Sequence, residues 1–495
     1  LLSRNYNDVC FGKQPMNGKK VMVEYSSPNT NKPLHLGHLR NNFLGWSVAE
    51  ILKANGNTVL KSCIVNDRGI HICKSMIAWQ LFAEGATPQS TNTKGDHFVG
   101  DYYVKFNDEY KREVAQLVAT GVKEADAEKE APIMKETQQM LLDWEAGKPA
   151  VLALWKKMNG WVYEGFDTTY KNIGSDFDKI YYESNTYLLG KDIVQTGLDK
   201  NVFFKKTDGS IWIDLTADGL DEKLVLRKDG TSVYITQDIG LAQQKYDEYK
   251  IDESIHVIGN EQDYHMKVLQ LICKKMGLAY ANDIHHLSYG MVELPTGKMK
   301  SREGTVVDAD DILSEMENEA RQKTEELGKV KDFTEAELNK LYHTIGLGAL
   351  KFFLMRVDPK KKMVFNPEES IDFHGFTGPF IQYNYARIRS VLRKNELLKS
   401  ASTGADFLPL EKELMVSLEK YGTVIAQAAS ELNPSVIAIY VYQLAKTFSS
   451  LFAVHSIANA ETEEKKQLRL QLASMTAVVI KSGMQLLGVT VPERM

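Results

Sequence analysis

Two short stretches of this sequence combine residue types that suit chemistry on a phosphate. The first is His35-Leu36-Gly37-His38, in which two imidazoles flank a glycine. Imidazole N–H groups can donate hydrogen bonds to phosphate oxygens while charge builds on them, and a glycine lets a ligand approach the backbone closely. The tetrapeptide alone is weak evidence, because chance or a core histidine explains it equally well.

The second stretch is a basic loop between two glycines. Gly297 and Gly304 enclose Lys298, Lys300 and Arg302. Such a loop can close over a triphosphate and neutralise charge as pyrophosphate leaves. A solvated surface turn is the usual explanation for an isolated cluster of cations, but it loses force when the paired histidines lie in the same chain.

The elements around the histidines predict how they are positioned. Residues 21–25 form a short β-rich run, and a loop with proline and asparagine follows. From residue 38 to 55, apolar side chains recur at helical spacing on more than one side, which predicts a buried helix. Residues 58–65 predict a second strand. Strand, loop, helix and strand begin a doubly wound parallel sheet, and the first turn of that helix can present free N–H groups to phosphate.

The rest of the chain divides into three regions. Residues 91–181 carry many charges at helical spacing, which predicts a helical insertion in the α/β domain. Alternation then resumes: strands are predicted at 232–236 and 254–258, and helices at 238–249 and 265–276. After residue 372 the pattern is almost entirely helical. We therefore predict an α/β catalytic domain over residues 1–372, with the basic loop at 297–304, and an all-α helical bundle over 373–495.

Composition limits the class of protein. The chain has 495 residues and a net charge of −5, so we expect two or three domains and any nucleic-acid site to be a local basic surface. Its four cysteines form no CxxC pair, which argues against zinc and disulfides and fits a reducing cytoplasm. No apolar run reaches about 18 residues, so no membrane span is expected.

Longer strings carry a resemblance to a known family. Paired histidines and a distant KMSKS-like loop resemble class I aminoacyl-tRNA synthetases. Residues 24–41, 234–238, 259–265 and 487–495 resemble the arginyl-tRNA synthetases in particular, and the likeness spans nearly the whole chain. It implies a Rossmann-like catalytic domain and a C-terminal anticodon-binding bundle. It also implies a cytoplasmic, monomeric enzyme that uses ATP, with Mg²⁺, to activate arginine and load it onto tRNA(Arg).

The resemblance implies a set of site residues. It assigns arginine binding to Glu24, Asn29, Tyr234, Asp238 and Gln262. It assigns ATP binding to His35, Gly37, His38, Gly259, Glu261, Lys298, Met299 and Ser301, and catalysis to His35, His38, Lys32, Lys300 and Arg302. A planar guanidinium needs carboxylate or amide oxygens in its plane, but which group meets which end of arginine stays open.

Several of these residues also have ordinary structural explanations. Tyr234 alone suits a protein core, and Asp238 alone suits a helix N-cap. Glu24 is less ordinary, since burying an unpaired carboxylate in an apolar strand is costly. The basic loop departs from the class pattern by having Lys300 before Ser301, without the usual second lysine. By the resemblance, Lys32 occupies the position at which the family supplies a cation in place of that second lysine.

The helical C-terminal part implies contacts with single-stranded bases, which proteins bind by stacking. The residues matching family contacts are Phe380, Tyr383, Phe452 and Met495. Packing in the bundle core explains these aromatics equally well. A basic face of Arg387, Arg389 and Arg393 could follow phosphates.

Three alternative classes of protein can be compared with this sequence. A cysteinyl synthetase would show zinc-ligating cysteines, and the branched-chain enzymes need a large editing domain. A nucleotidylyltransferase would not need the helical C-terminal third, and a non-enzymatic paralogue would have lost the paired histidines or the carboxylates.

Arginyl enzymes usually carry an additional N-terminal domain, whereas this chain starts about twenty residues before its first strand. We expect it to lack that domain. The family also suggests that arginine activation requires bound tRNA.

Overall fold

The structure is a computed structural model that describes residues 5, 8–295, 307–326, 328, 332–398 and 406–495. The predicted basic loop at 297–304 therefore lies outside the described residues. The strands are β1 (Lys20–Glu24), β2 (Thr58–Val65), β3 (Lys179–Tyr182), β4 (Phe204–Lys205), β5 (Ile211–Ile213), β6 (Lys223–Leu226), β7 (Glu253–Gly259), β8 (Ile284–Tyr289), β9 (Val292–Glu293) and β10 (Met363–Val364).

The described helices fall into three groups along the chain. Around the first two strands are α1 (Leu36–Ala54), α2 (Ile70–Phe82), α3 (Pro88–Thr91), α4 (Gly95–Ala119), α5 (Glu124–Glu130), α6 (Pro132–Glu145) and α7 (Pro149–Ile173). The middle of the chain contributes α8 (Glu183–Thr186), α9 (Lys191–Asp199), α10 (Tyr234–Tyr249) and α11 (Asp263–Lys275). The remainder are α12 (Ala309–Glu326), α13 (Glu335–Met355), α14 (Pro367–Ser370), α15 (Gly378–Arg393), α16 (Pro409–Glu419), α17 (Tyr421–Glu431), α18 (Pro434–Val454) and α19 (Glu463–Leu486).

A five-stranded sheet forms the centre of the α/β part. Its order is β3-β2-β1-β7-β8, and every neighbouring pair is parallel. Met22 of β1 is in register with Leu60 on one side and Ser254 on the other. Helices cover parallel sheets on both faces, so their strands are continuous apolar runs, as Val21-Met22-Val23 is. The strand order reverses at β1, so the switch point lies between β1 and β7. The predicted doubly wound fold is confirmed.

Helix α1 packs directly on this sheet, and most of its residues are buried, as its apolar pattern predicted. Gly45 allows the close approach, because a Cβ there would lie 2.4 Å from the Tyr25 side chain. Asn41 ties the helix to the neighbouring strand by donating to the carbonyl of Val257 at 2.7 Å. The helix is thus fixed against the carboxyl ends of β1 and β7.

The strand predicted at 232–236 is wrong. Ser232 makes only an isolated bridge with Leu226, and α10 begins at Tyr234. Val233 is the extended residue before the helix, and the Thr236 hydroxyl donates to the carbonyl of Val225. The β-branched and aromatic composition favoured a strand, but contacts with the small antiparallel sheet of β4, β5 and β6 decide the conformation.

Helices α2 to α7 occupy the chain between β2 and β3, and β3 then returns to the central sheet beside β2. Their order is that of helices inserted between two strands of one sheet. The boundaries of the two domains stay a prediction.

The C-terminal part is a helical bundle, as predicted. Helix α18 is long and apolar enough to satisfy the length and composition of a membrane span. However, its residues Val441, Leu444 and Phe448 are buried in the shared core, which is the environment of a core helix. Arg469 and Glu411 form a buried ion pair at 2.8 Å that joins α19 to α16.

Candidate active site

A cavity of about 350 Å³ opens at the carboxyl ends of β1 and β7, at the switch point where doubly wound sheets bind ligands. Seven of the residues predicted from sequence line it together: Glu24, His35, Gly37, His38, Asp238, Gly259 and Gln262. They come from β1, α1, α10, β7 and the turn that precedes α11. The cavity thus joins the predicted acidic groups to the paired histidines.

The two histidines cap helix α1 with their side chains. Nδ1 of His35 accepts from the backbone N–H of Gly37 at 3.1 Å, and Nδ1 of His38 accepts from the backbone N–H of His35 at 3.2 Å. An imidazole that accepts at Nδ1 carries its proton at Nε2. Each ring therefore keeps an Nε2–H donor. Gly37 allows this arrangement, since a Cβ there would lie 3.0 Å from Cε1 of His35.

Both histidines are neutral in this site. Burial, together with the charge of Lys32, lowers the pKa of His35 to about 3, although Asp308 opposes the shift. Burial also lowers the pKa of His38 well below its usual value, and His35 and Lys32 add to that effect. The rings can donate hydrogen bonds to an anion without carrying a full charge.

The loop after β1 is held in an unusual conformation beside the cavity. Ser26 and Ser27 have φ angles of +80° and +46°, in the left-handed region that is uncommon for residues other than glycine. Asn41 accepts the Ser26 N–H at 2.5 Å, and the Ser26 hydroxyl lies 2.6 Å from that of Tyr170. Strained backbone of this kind persists where surrounding contacts hold it. Both serines line the cavity.

Glu24 ends β1 as a buried carboxylate with two basic partners. Its Oε2 lies 2.5 Å from Nζ of Lys245, and its Oε1 lies 3.1 Å from Nδ1 of His256. Burial alone would raise its pKa, but Lys245 and His256 more than offset that effect, so the pKa is well below its usual value. Lys245 and His256 were not predicted. The sequence held one weak signal for each residue. Lys245 follows Asp238 by seven residues on α10, and His256 is a polar residue inside an apolar strand.

Asp238 has a partner of its own across the cavity. Its Oδ2 lies 2.6 Å from Nε2 of His265, and this contact raises the pKa of that histidine. Asp238 lies within α10, whose N-cap is Val233, so it is not the N-cap that its position near a helix start allowed. His265 belongs to the 259–265 string that carried the resemblance, but no role was predicted for it.

Three other predicted residues do not line this cavity. Asn29 is exposed and pairs with Asn66, which does line it. Tyr234 is 74% exposed, one helical turn before Asp238. Glu261 is exposed in the short turn before α11.

Lys32 lines a second, smaller cavity of about 200 Å³ on the other side of His35. The predicted residues Lys298, Met299, Lys300, Ser301 and Arg302 lie outside the described residues. The chain that follows them is fixed near the histidines. The N–H of Leu36 donates to the carbonyl of Val307 at 3.4 Å, and Ala309 donates to Leu34 at 2.9 Å.

The second cavity lies beside an acidic cluster that contains the ammonium group of Lys94. Asp96, His97 and Asp310 bring possible metal-ligating atoms within 4.8 Å of one another, the one such group among the described residues. Nζ of Lys94 lies 3.1 Å from Asp96 and 2.5 Å from Asp310. Hydrogen bonds to Asp308 and Asp310 raise the pKa of His97 to about 10. Lys94 and His97 form ion pairs with these carboxylates, so the cluster is a local ion-pair network.

Two of the predicted anticodon contacts, Tyr383 and Phe452, lie around one arginine of the bundle. The Arg387 guanidinium lies 4.8 Å from the ring centroid of Tyr383 and 5.1 Å from that of Phe452. Phe380 and Met495 are also only partly buried against the core. The predicted basic face is partly neutralised, because Arg389 pairs with the Glu493 carboxylate at 2.6 Å. Arg393 donates to the backbone carbonyl of the same residue and keeps its charge.

Comparison with known proteins adds an independent line of evidence. Residues 3–366 match the family described as tRNA synthetases class I (R), catalytic domain, and residues 381–495 match the DALR anticodon binding domain. The chain is 59% identical over 478 residues to an arginine–tRNA ligase of Flavobacterium psychrophilum, covering 96% of this chain and 80% of that protein. It is 54% identical over 498 residues to an arginine–tRNA ligase of Amoebophilus asiaticus, covering 99% of this chain and 83% of that protein.

Solved structures agree on the fold. The arginyl-tRNA synthetase of Thermus thermophilus superposes with a TM-score of 0.80 at 24% identity, covering 100% of this chain and 86% of that one. The fold and the two matched domains were expected from the sequence. With the identities above, they show that this chain belongs to the arginyl-tRNA synthetase family.

Proposed function

This chain is an arginine–tRNA ligase, and we propose that it binds arginine and ATP together in the cavity at the ends of β1 and β7. One observation carries this proposal: the carboxylates of Glu24 and Asp238 line the same cavity as the neutral donors of His35 and His38. An acidic end suits a guanidinium, and a donor-rich end suits a triphosphate.

The acidic end would receive the arginine side chain. Asp238 and Glu24 each present a carboxylate, and Gln262 adds an amide group from the opposite edge. A guanidinium has five N–H donors and no acceptor, so acceptor oxygens are the right lining. Tyr234 lies one helical turn from Asp238, and Asn29 forms a β-bridge with Asn66. Both residues are therefore close to the cavity lining, and we keep their predicted role in arginine binding.

The other end would receive ATP. The Nε2–H groups of His35 and His38 would meet phosphate oxygens at the positive end of the α1 dipole. Gly259, at the end of β7, would face the adenosine, and we keep that role for Glu261 in the adjoining turn. Lys32 would add charge from the second cavity. We also keep the predicted role of Lys298, Met299, Lys300, Ser301 and Arg302 in covering the triphosphate.

The reaction then requires positioning and charge stabilisation rather than a protein nucleophile. A carboxylate oxygen of arginine attacks the α-phosphorus of ATP, the bond to the β-phosphate breaks, and pyrophosphate leaves. The hydroxyl of the terminal adenosine of tRNA, the 2′-hydroxyl first by analogy with the class, attacks the adenylate carbonyl and releases AMP. Hydrogen-bond donors already aimed at phosphate lower the barrier because they need no reorganisation.

Magnesium would enter with ATP. The carboxylates that line the cavity are Glu24 and Asp238, and each already holds a basic partner. Mg²⁺ is commonly bound through substrate phosphates and one or two carboxylates. We therefore expect the ion to be held chiefly by ATP oxygens, and we assign it no protein ligand.

The C-terminal bundle would bind the anticodon of tRNA(Arg). The partly buried rings near Arg387 would stack on bases, and the guanidinium can stack as well. Phe380 and Met495 keep their predicted role at this surface. We propose that the α/β domain ends near residue 372, and that the enzyme acts as a cytoplasmic monomer.

Arginine-dependent ATP–pyrophosphate exchange tests the proposal, with and without tRNA(Arg). Lysine and citrulline are the controls, because lysine keeps the charge without the planar fork and citrulline keeps the shape without the charge. Exchange with arginine alone is the expected result. No exchange with tRNA present, or equal exchange with citrulline, would contradict it. Full exchange without tRNA would contradict only the expected tRNA dependence.

A further inference from the structure

The ion pair behind the acidic end of the cavity is more than a local contact. Glu24 is 6% exposed, and the Lys245 side chain is 1% exposed. Lys245 comes from α10 and His256 from β7, so two separate elements hold the two carboxylate oxygens. His256 is held at its other nitrogen too, since Nε2 lies 3.1 Å from the Ser254 hydroxyl.

This arrangement leaves Glu24 able to bind a further donor. A carboxylate has two oxygens with about four lone-pair sites, and Lys245 and His256 occupy one site on each oxygen. The ammonium of Lys245 also lies over the Tyr181 ring, 5.6 Å from its centroid. Among the described residues, Glu24 is the one carboxylate within ion-pair distance of Lys245.

Removing the ammonium would change what Glu24 offers to a ligand. A buried carboxylate that has lost its ammonium partner and keeps only His256 takes up a proton more readily, because burial disfavours its charged form. A protonated carboxyl presents an O–H donor. Because a guanidinium offers only donors, that O–H would oppose arginine instead of accepting from it.

We propose that Lys245, supported by His256, is a positioning residue for arginine recognition that keeps Glu24 an oriented, acceptor-only carboxylate. The inference rests on the proposed function, since it requires the guanidinium to bind beside Glu24.

The test is the KM for arginine as a function of pH, from pH 6 to 9, in pyrophosphate exchange with tRNA(Arg). The titratable groups that face Glu24 or share its cavity are Lys245 from α10, His256 from β7, Cys63 from β2, Tyr181 from β3, Tyr289 from β8, and Asp238, His265, His35 and His38. Each variant is therefore compared with wild type at the same pH, which cancels the titration of the shared groups.

Lys245→Met should raise the KM for arginine at least tenfold at pH 6.5, and the ratio to wild type should fall as the pH rises and Glu24 ionises. The KM for ATP should change less than threefold. Lys245→Arg, which keeps the charge, should stay within threefold of wild type at every pH. In the matched control Glu24→Gln/Lys245→Met, the KM should be raised by a constant factor across the range, because position 24 then carries no carboxylate whose protonation could change with pH.

Two outcomes overturn the inference. If Glu24→Gln leaves the arginine KM unchanged, arginine does not bind beside Glu24, and that part of the proposed function fails as well. If Glu24→Gln raises the KM but Lys245→Met is normal or has the flat profile of the double variant, only the role of Lys245 fails. Thermal unfolding is recorded for every variant. If Lys245→Met does not fold, Lys245→Gln carries the same prediction, since it removes the charge and keeps an N–H donor.

Discussion

Gly37→Ala separates the geometry of the paired histidines from the stability of the fold. The added Cβ would lie 3.0 Å from Cε1 and 3.1 Å from Nδ1 of His35, so the imidazole must move by a few tenths of an ångström. That movement weakens the hydrogen bond from the Gly37 N–H, whose N-cap contribution is about 1 kcal/mol. Alanine in a helix gains about 1 kcal/mol over glycine. The two effects nearly cancel, so the melting temperature should hardly change.

The catalytic rate of Gly37→Ala should fall even though its stability hardly changes. Misplacing a catalytic group by about 1 Å costs about 100-fold, so a shift of a few tenths of an ångström in the His35 donor should lower kcat for pyrophosphate exchange by roughly 3- to 10-fold. Gly160→Ala is the matched control. Gly160 lies in helix α7, and a Cβ added there would meet nothing within 4 Å, so this variant should gain stability and keep full activity. A Gly37→Ala enzyme with normal kcat would refute the role given to His35.

Three further predictions follow from contacts in the structure. Asp238→Asn should raise the KM for arginine at least tenfold and leave the KM for ATP within threefold, measured by exchange kinetics; equal effects on both would contradict the assignment of Asp238 to the acidic end. Arg387→Ala should raise the KM for tRNA(Arg) in aminoacylation and leave the melting temperature unchanged, whereas an unaltered tRNA KM would favour a purely structural stack with Tyr383 and Phe452. Burial lowers the pKa of Lys351 to about 8 from an ordinary 10.5, so the folded state binds fewer protons than the unfolded state between those values. This group's contribution to stability should therefore increase as pH rises from 8 to 10.5; denaturant unfolding of wild type and Lys351→Met should differ most below pH 8, and parallel pH profiles would count against this explanation.

Local sequence was sufficient for the elements that position the phosphate end. The strand at β1, the glycine between two histidines and the apolar pattern of α1 are all contiguous in the chain. Burial of α1 followed from its apolar residues on more than one side. The acidic end was identified only in part, through the resemblance of the strings that contain Glu24, Asp238 and Gln262.

The partners of those carboxylates could not be predicted, because they depend on tertiary packing. Lys245 is 221 positions from Glu24, and His256 is 232 positions from it. Neither distance leaves a periodic signal in a single sequence. The error at residues 232–236 has a related cause. Val-Tyr-Ile-Thr has the composition of a strand, but the contacts of Thr236 and Ser232 with the small sheet fix where the helix begins.

The central claim is that one cavity binds both small substrates, and a crystal structure with arginine and a non-hydrolysable ATP analogue tests it most directly. We predict a guanidinium within hydrogen-bond distance of Asp238 and Glu24, with phosphate oxygens at Nε2 of His35 and His38. Arginine bound elsewhere, for example in the cavity beside Lys32 and His97, would contradict the claim.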